Sequence, residues 1–316
     1  MNKRYVFVSV SLIQNLKQVL ISVKKFHKLY DIYKYIIITT QNDYYEFKNA
    51  LNDFDYVEVF DENAILNKKI FDKLCDEYMI RKDDYKNFRK SWYFQQLLKL
   101  TYILNNKCFP DKRIIIWDAD TIPLKKIKFF KNNNPILYGS KYEYHVPYFE
   151  CNNVIFGEKQ INPKLSFVTQ FAALNLEIRN GLKEIILKYN QKMNISYDSF
   201  YVVKAVLHAI SIKNDLEPVN GSHFSEYELI GKYMITQKKY SRETQKPIKF
   251  FRNYVDGNLD IIQKIILYLF DYKHITYEND NFLKKKQSYN KLFKALFLEI
   301  AYFISKPLKK LFTKKK

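Results

Sequence analysis

Residues 114–124 read IIIWDADTIPL. The four apolar residues predict a strand buried on both faces, as in the interior of a parallel sheet. The strand is followed by Asp118 and Asp120, whose carboxylates an extended backbone would point to the same side. Two like charges so placed raise each other's pKa unless a cation lies between them. Hard oxygen ligands of this kind suit Mg²⁺ or Mn²⁺ completed by phosphates. The alternative is a structural turn in which an aspartate caps the residues that follow.

Apolar runs upstream predict the rest of the sheet. Residues 5–10, 35–40 and 56–60 are apolar and largely β-branched or aromatic, as strands are. Residues 16–26 and 44–51 repeat apolar side chains at helical spacing. Basic residues before the first run resemble a signal peptide, but the run is short and no cleavage site follows, so a buried strand is the better interpretation. The alternation predicts an α/β fold whose parallel sheet is flanked by helices, with ligands outside the carboxyl ends of the strands.

Composition excludes several classes of protein. The chain has 316 residues, of which 47% are hydrophobic and 27% charged, so most of it is expected to fold into a core. Its three cysteines form no C-x-x-C pair, which argues against a disulfide framework or a zinc site. The net charge of +20 would fit a nucleic-acid partner. No DNA- or RNA-binding motif is visible, and an AT-rich codon usage explains basicity spread over the body, so no nucleic-acid partner is expected.

The basic charge is concentrated at the C-terminus. Residues 284–316 contain 11 lysines and one acid, half of the net charge in about a tenth of the chain. Apolar side chains recur between the lysines at helical spacing. This pattern predicts an amphipathic helix lying on an anionic membrane surface rather than spanning it. A partner helix or a disordered basic tail is the alternative.

Two enzyme classes place a D-x-D motif after an apolar strand. In A-type glycosyltransferases the acids hold a divalent metal against a nucleotide-sugar diphosphate. In haloacid-dehalogenase-type phosphatases D-x-D-x-T supplies a nucleophile and a general acid, and Asp118 and Asp120 match the two acids of that string. The phosphatase motif usually opens its domain, whereas here three predicted strands precede it, and no further acidic motif completes a phosphatase metal site. The order therefore favours the glycosyltransferase.

Four motifs in order resemble a known family. They are W-x-x-Q-Q-L-x-K-L at 92–100, WDADT at 117–121, SFVT at 166–169 and SEYEL at 225–229. This arrangement, over about residues 3–255, resembles bacterial glycosyltransferase-A-like proteins from capsule and lipopolysaccharide gene clusters, many described only as a domain of unknown function. The resemblance implies a Rossmann-like mixed sheet and metal-dependent transfer from a nucleotide sugar. In related folds a helix before the D-x-D strand contacts the donor, so Gln96 and Lys99 become donor-binding candidates.

The second half of the chain supplies further candidates. Residues 166–174 are predicted to form a strand, on which Gln170 would contact the donor sugar. Ser225 and Glu228 form a capping-box pattern at the start of a helix, which assigns Glu228 to structure. Glu226 in the first turn is not needed by the box and is the candidate general base for an acceptor hydroxyl, with a helix-dipole role as the alternative. His223 is a candidate third metal ligand, because a downstream histidine serves several A-type glycosyltransferases.

The sequence as a whole predicts two regions. Residues 1–255 form an A-type glycosyltransferase domain, in which Asp118, Asp120 and His223 bind Mn²⁺ or Mg²⁺, Asp118 also contacts the donor, and Asp120 and Glu226 are catalytic. Residues 256–316 form a helical, basic, membrane-associating extension. The expected substrates are a nucleotide-sugar donor and a glycan or lipid-linked glycan acceptor. The expected location is the inner face of a bacterial cytoplasmic membrane.

Overall fold

The computed structural model describes most of the chain between Arg4 and Tyr277. The described ranges are 4–78, 90–105, 109–141, 143–157, 164–212, 222–237, 240, 244–253 and 261–277. The predicted membrane-associating segment 284–316 and the predicted boundary at residue 255 lie outside the described residues.

The described residues contain strands and helices in alternation through the first half. The helices are α1 (Leu16–Leu29), α2 (Tyr44–Ala50), α3 (Lys68–Tyr78), α4 (Lys90–Asn105), α5 (Val146–Phe156), α6 (Leu176–Lys192), α7 (Tyr201–Ile212), α8 (Glu226–Thr236) and α9 (Ile261–Leu269). The strands are β1 (Tyr5–Val10), β2 (Ile32–Thr39), β3 (Val57–Asp61), β4 (Arg113–Trp117), β5 (Thr121–Pro123), β6 (Phe130–Lys131), β7 (Asn134–Pro135), β8 (Tyr138–Gly139), β9 (Phe171–Leu174), β10 (Lys246–Pro247), β11 (Phe250–Asn253) and β12 (His274–Tyr277).

A five-stranded sheet in the order β3-β2-β1-β4-β9 forms the centre of the first half. The four strands from β3 to β4 pair in parallel, and β9 is antiparallel to β4. The side chains of Ile36 to Ile38 on β2 and Ile115 to Trp117 on β4 are fully buried, which requires cover on both faces of the sheet. The predicted α/β class, with a mixed sheet flanked by helices, is confirmed.

The parallel order places the acidic motif at one edge of the sheet. Three strands precede β4 in the chain, and the carboxyl ends of parallel strands lie at the same edge. Helix α4 packs against α3, α6, α7 and α8, and its polar residues Gln96 and Lys99 are buried.

The predicted strand at residues 166–174 is shorter than expected. Only Phe171–Leu174 forms a strand, because Gln170 has a left-handed φ of 66°. Such a φ is uncommon for a residue with a Cβ and interrupts an extended strand.

The chain divides into two compact units. The first comprises residues 1–121 and 127–248 and contains the central sheet and the helices α1 to α8. The second comprises residues 122–126 and 249–316; its described part contains α9 and the sheet in which β12 pairs in parallel with β11. Within the described residues, no helix is both long and apolar enough to cross a bilayer.

Candidate active site

The aspartates of the D-x-D motif lie in a turn just after β4. The strand ends at Trp117, and the N–H of Thr121 donates to the carbonyl of Asp118 at 3.0 Å. The indole N–H of Trp117 donates to the carbonyl of Thr121 at 2.8 Å, which closes the same turn. The expectation that an extended backbone carries both carboxylates is therefore wrong, because the chain bends immediately after Trp117. Instead, buried hydrogen bonds fix the turn.

A lysine from α4 is placed directly against the first aspartate. The Nζ of Lys99 donates to Oδ1 of Asp118 and, at 2.9 Å, to Oε1 of Glu226 at the start of α8. Lys99 is 1% exposed and Glu226 is fully buried, whereas the side chain of Asp118 is 17% exposed. The three side chains come from three separate elements, so tertiary packing alone brings the two acids to one ammonium.

The tyrosine that follows Glu226 completes the cluster. The hydroxyl of Tyr227 donates to Oδ1 of Asp118 at 2.6 Å, and Nζ of Lys99 lies 5.1 Å from the centroid of its ring. We refer to Lys99, Asp118, Glu226 and Tyr227 as the acid–lysine cluster. Sequence reasoning missed Tyr227, and its only available signal was its position next to Glu226 in the SEYEL motif.

Burial and neighbouring charges both shift the pKa values of the cluster, and at Glu226 and Lys99 the burial effect opposes that of the oppositely charged partner. Burial raises the pKa of Glu226 to about 7, against the lowering effect of Lys99 and with a further rise from Asp118. Burial lowers the pKa of Lys99, but Asp118 and Glu226 outweigh it, so the net shift is upward and the ammonium stays charged. The pKa of Tyr227 is raised well above its usual value by burial first, then by Asp118, Glu226 and Asp120. The phenol therefore stays protonated and keeps donating to Asp118.

The contacts of Lys99 and Glu226 indicate roles within the protein. Lys99 reaches two carboxylates of the protein and is almost fully buried, and its contact with the donor stays a prediction. Glu226 reaches Lys99 rather than solvent, so the contacts support a positioning role. Contact between Glu226 and an acceptor hydroxyl stays a prediction.

Both glutamine candidates are buried, and one of them contacts the motif. Gln96 is 6% exposed and sits one turn before Lys99 on α4. Gln170 is 5% exposed, and its carbonyl accepts from the N–H of Asp118 at 3.0 Å. The left-handed backbone of Gln170 is therefore bonded directly to the motif. Contact of either side chain with a donor sugar stays a prediction.

The predicted capping box does not form. Ser225 is the N-cap residue of α8, as expected, but its side chain makes no capping hydrogen bond. Oε1 of Glu228 instead accepts from Oγ of Ser166 at 2.5 Å and from the N–H of Phe167 at 2.8 Å. The correction follows from tertiary packing: the 166–167 segment offers Glu228 two buried donors, so the side chain does not turn back to its own helix. Glu228 remains structural, as predicted, through different bonds.

His223 does not form a metal-binding group with Asp118 and Asp120. His223 is 5% exposed, and its backbone N–H donates to the hydroxyl of Tyr93 at 2.6 Å. Burial and then His145 lower the pKa of its imidazole. Among the described residues, no group of three or more His, Cys, Asp or Glu side chains is placed to hold a metal ion. The predicted three-residue metal shell of Asp118, Asp120 and His223 is therefore not assembled here.

The aspartate pair does fit a divalent cation that is completed by phosphate oxygens. Asp118 and Asp120 offer the hard oxygen ligands that Mg²⁺ and Mn²⁺ prefer. Mg²⁺ is commonly held by one or two carboxylates together with substrate phosphates, rather than by a cage of protein ligands. The hydroxyl of Thr121 donates to Oδ1 of Asp120 at 3.1 Å, which orients that carboxylate.

Comparison with known proteins gives structural neighbours only. No protein-family model and no curated protein matches the sequence. Apo mouse xyloside xylosyltransferase 1 is 12% identical with a TM-score of 0.43, covering 88% of this chain and 98% of that one. Galactosyltransferase LgtC in complex with donor and acceptor sugar analogues is 10% identical with a TM-score of 0.43, covering 92% and 94%. Mannosyltransferase Ktr4p from S. cerevisiae is 13% identical with a TM-score of 0.40, covering 66% of each chain. Because these TM-scores are below 0.5, function is inferred from this chain's own residues.

Proposed function

We propose that this chain is an A-type glycosyltransferase that transfers a sugar from a nucleotide-sugar donor to a surface-glycan acceptor of a bacterial capsule or lipopolysaccharide. The observation that carries the proposal is the position of the D-x-D turn at the carboxyl edge of a parallel sheet, with Asp118 held by Lys99 and Tyr227. Ligands of such sheets bind at this edge.

The residues of the site divide into those that bind and those that position. Asp118 and Asp120 would hold Mn²⁺ or Mg²⁺ against the donor diphosphate. When bound, the cation would stabilise the negative charge that develops on the leaving nucleoside diphosphate. Lys99 and Tyr227 fix one oxygen of Asp118, and Glu226 holds Lys99 in place. Gln170, whose carbonyl accepts from the N–H of Asp118, and Gln96 on α4 are proposed to contact the donor.

A thermal-shift screen tests donor binding. UDP-, GDP- and CDP-sugars are added with and without Mn²⁺, and we expect one nucleotide class to raise the melting temperature only when Mn²⁺ is present, since a ligand that binds the folded state stabilises it. Asp120→Asn should abolish this rise because it removes a proposed cation ligand. Glu184→Gln makes the same charge change on the exposed face of α6 and should keep the rise. An equal rise of the melting temperature in Asp120→Asn would contradict the proposed cation site.

We further propose that residues 284–316 attach the protein to the inner face of the cytoplasmic membrane. The support is the sequence pattern, with 11 lysines interleaved with apolar residues. Each lysine near an anionic surface contributes about 1 kcal/mol. Flotation with phosphatidylcholine vesicles, with and without an anionic lipid, should show binding only to the anionic vesicles and only with residues 284–316 present. Binding that survives their deletion would contradict this assignment.

A further inference from the structure

The cluster contains an ammonium where a metal ion is expected to share a carboxylate. Nζ of Lys99 and the hydroxyl of Tyr227 both donate to the same atom, Oδ1 of Asp118. Lys99 is 1% exposed, so water does little to screen its charge from Asp118. Oδ1 of Asp118 therefore already accepts hydrogen bonds from two donors of the protein.

We propose that Lys99 is a resident cation that weakens the binding of a divalent ion to Asp118 and Asp120, so that the ion binds together with the nucleoside diphosphate rather than before it. This inference rests on the proposed function, because it takes the aspartate pair as the cation site.

Electrostatics supports the first half of the inference. An ammonium in contact with Asp118 neutralises part of the charge that would attract a dication, and it repels the dication directly. The second contact of Lys99, with the fully buried Glu226, holds the ammonium in this place. If Lys99 swung out to solvent, it would break the buried ion pair with Glu226, which is costly.

The ligand set supports the second half. Among the residues that the structure describes, no third acidic, histidine or cysteine side chain joins the pair as a metal ligand. Phosphate oxygens would supply the missing hard ligands and additional negative charge. A diphosphate therefore supplies negative charge to a site where Lys99 neutralises part of the charge of Asp118.

The test measures Mn²⁺ bound to the protein by equilibrium dialysis, with and without UDP, GDP or CDP on both sides of the membrane. Placing the nucleotide on both sides cancels Mn²⁺ bound by nucleotide in solution. For the native chain we expect one of the diphosphates to increase the affinity for Mn²⁺ about tenfold or more, since it adds ligands and negative charge. Mn²⁺ alone should bind weakly.

Three variants assign the effect to Lys99. Lys99→Met should bind Mn²⁺ without nucleotide about tenfold more tightly, because it removes one positive charge next to Asp118. Lys99→Met combined with Glu226→Gln should show the same direction, and it avoids a buried glutamate that has lost its ammonium if the single variant does not fold. Glu226→Gln alone keeps the ammonium and should not increase the affinity. Circular dichroism confirms that each variant is folded.

Two failures are distinguishable. If the native chain binds Mn²⁺ equally tightly with and without every nucleotide, or if the folded double variant gains no affinity, the role of Lys99 is overturned while the proposed function stands. If neither the native chain nor any variant binds Mn²⁺, with or without a nucleotide, the cation site of the proposed function is overturned together with this inference.

Discussion

Helix α8 buries two glutamates two residues apart, and their surroundings differ in kind. Glu226 is fully buried against the ammonium of Lys99, beside Asp118. Glu228 is 1% exposed and accepts from the hydroxyl of Ser166 and the N–H of Phe167. Burial raises the pKa of each to about 7. Both carboxyl groups thus lose their contact with water on folding. The ammonium of Lys99 offsets this cost at Glu226, and the Ser166 hydroxyl and the Phe167 N–H offset it at Glu228.

The difference separates a functional face of the helix from a structural one. The Glu226 face holds the cluster that fixes the D-x-D turn. The Glu228 face attaches α8 to residues 166–167, and Gly231 on the same face lies against the ring of Phe167. Burial and a raised pKa alone would not distinguish the two glutamates, whereas their partners do.

The largest expected effect on stability is at Lys99. Lys99→Met leaves Glu226 buried without its cation and Asp118 with one donor fewer, which should lower the free energy of unfolding by about 3–5 kcal/mol. Urea unfolding followed by circular dichroism measures this. Adding Glu226→Gln should recover part of the loss, because the buried charge is removed with its partner. A loss below about 1 kcal/mol in the single variant would mean that the pair is exposed to solvent in solution.

Gly231→Ala probes the structural face. A Cβ at this position would lie 2.1 Å from Cγ of Phe167 and 2.2 Å from its Cδ2, so the ring must move. We expect a loss of about 1–3 kcal/mol in the free energy of unfolding, as for an overpacked core. Lys188→Ala on the exposed face of α6 is a surface control and should change stability little. Unchanged or increased stability in Gly231→Ala would contradict the close packing of α8 on Phe167.

Glu228→Gln probes the same face through an effect on stability that depends on pH. Because the pKa of Glu228 is raised from 4.5 to about 7 in the folded protein, the folded state holds the proton more tightly than the unfolded state. The favourable contribution of the protonated Glu228 carboxyl to the free energy of unfolding is present below pH 4.5 and is lost as the pH rises through about 7. The native chain should therefore lose roughly 1–3 kcal/mol relative to Glu228→Gln over this window.

Urea unfolding at several pH values measures the difference between the two chains. Glu184→Gln serves as the control, because Glu184 is exposed and paired with Lys188 at the surface. If the native chain and Glu228→Gln keep a constant difference from pH 4.5 to 7, the carboxyl of Glu228 is not desolvated as the structure indicates.

The first half of the fold could be predicted because its signal is local. The strands β1, β2 and β4 are apolar runs buried on both faces, and such runs need no knowledge of distant partners. The predicted strand at residues 166–174 is longer than the observed one, because Gln170 has a left-handed φ that its residue type does not indicate. A glycine there would have signalled the break.

The sequence singled out three residues of the acid–lysine cluster, but it indicated neither Tyr227 nor the contacts among the four. Asp118 followed from its place after an apolar strand, and Lys99 and Glu226 followed from their motifs. That Lys99 bridges these two acids depends on α4 and α8 meeting across more than a hundred residues of sequence, which no local pattern encodes. The same holds for Glu228, whose capping-box spacing was overridden by the donors of Ser166 and Phe167.

Release of nucleoside diphosphate from a nucleotide sugar tests the central claim most directly. The native chain is incubated with Mn²⁺ and each UDP-, GDP- and CDP-sugar, beside Asp120→Asn and the matched control Glu184→Gln. We predict metal-dependent release from one donor class by the native chain and by Glu184→Gln, and a loss of at least about a hundredfold in Asp120→Asn, as for removal of a group that stabilises developing charge. Undiminished release by Asp120→Asn, or turnover of phosphomonoesters with no release from any nucleotide sugar, would contradict it.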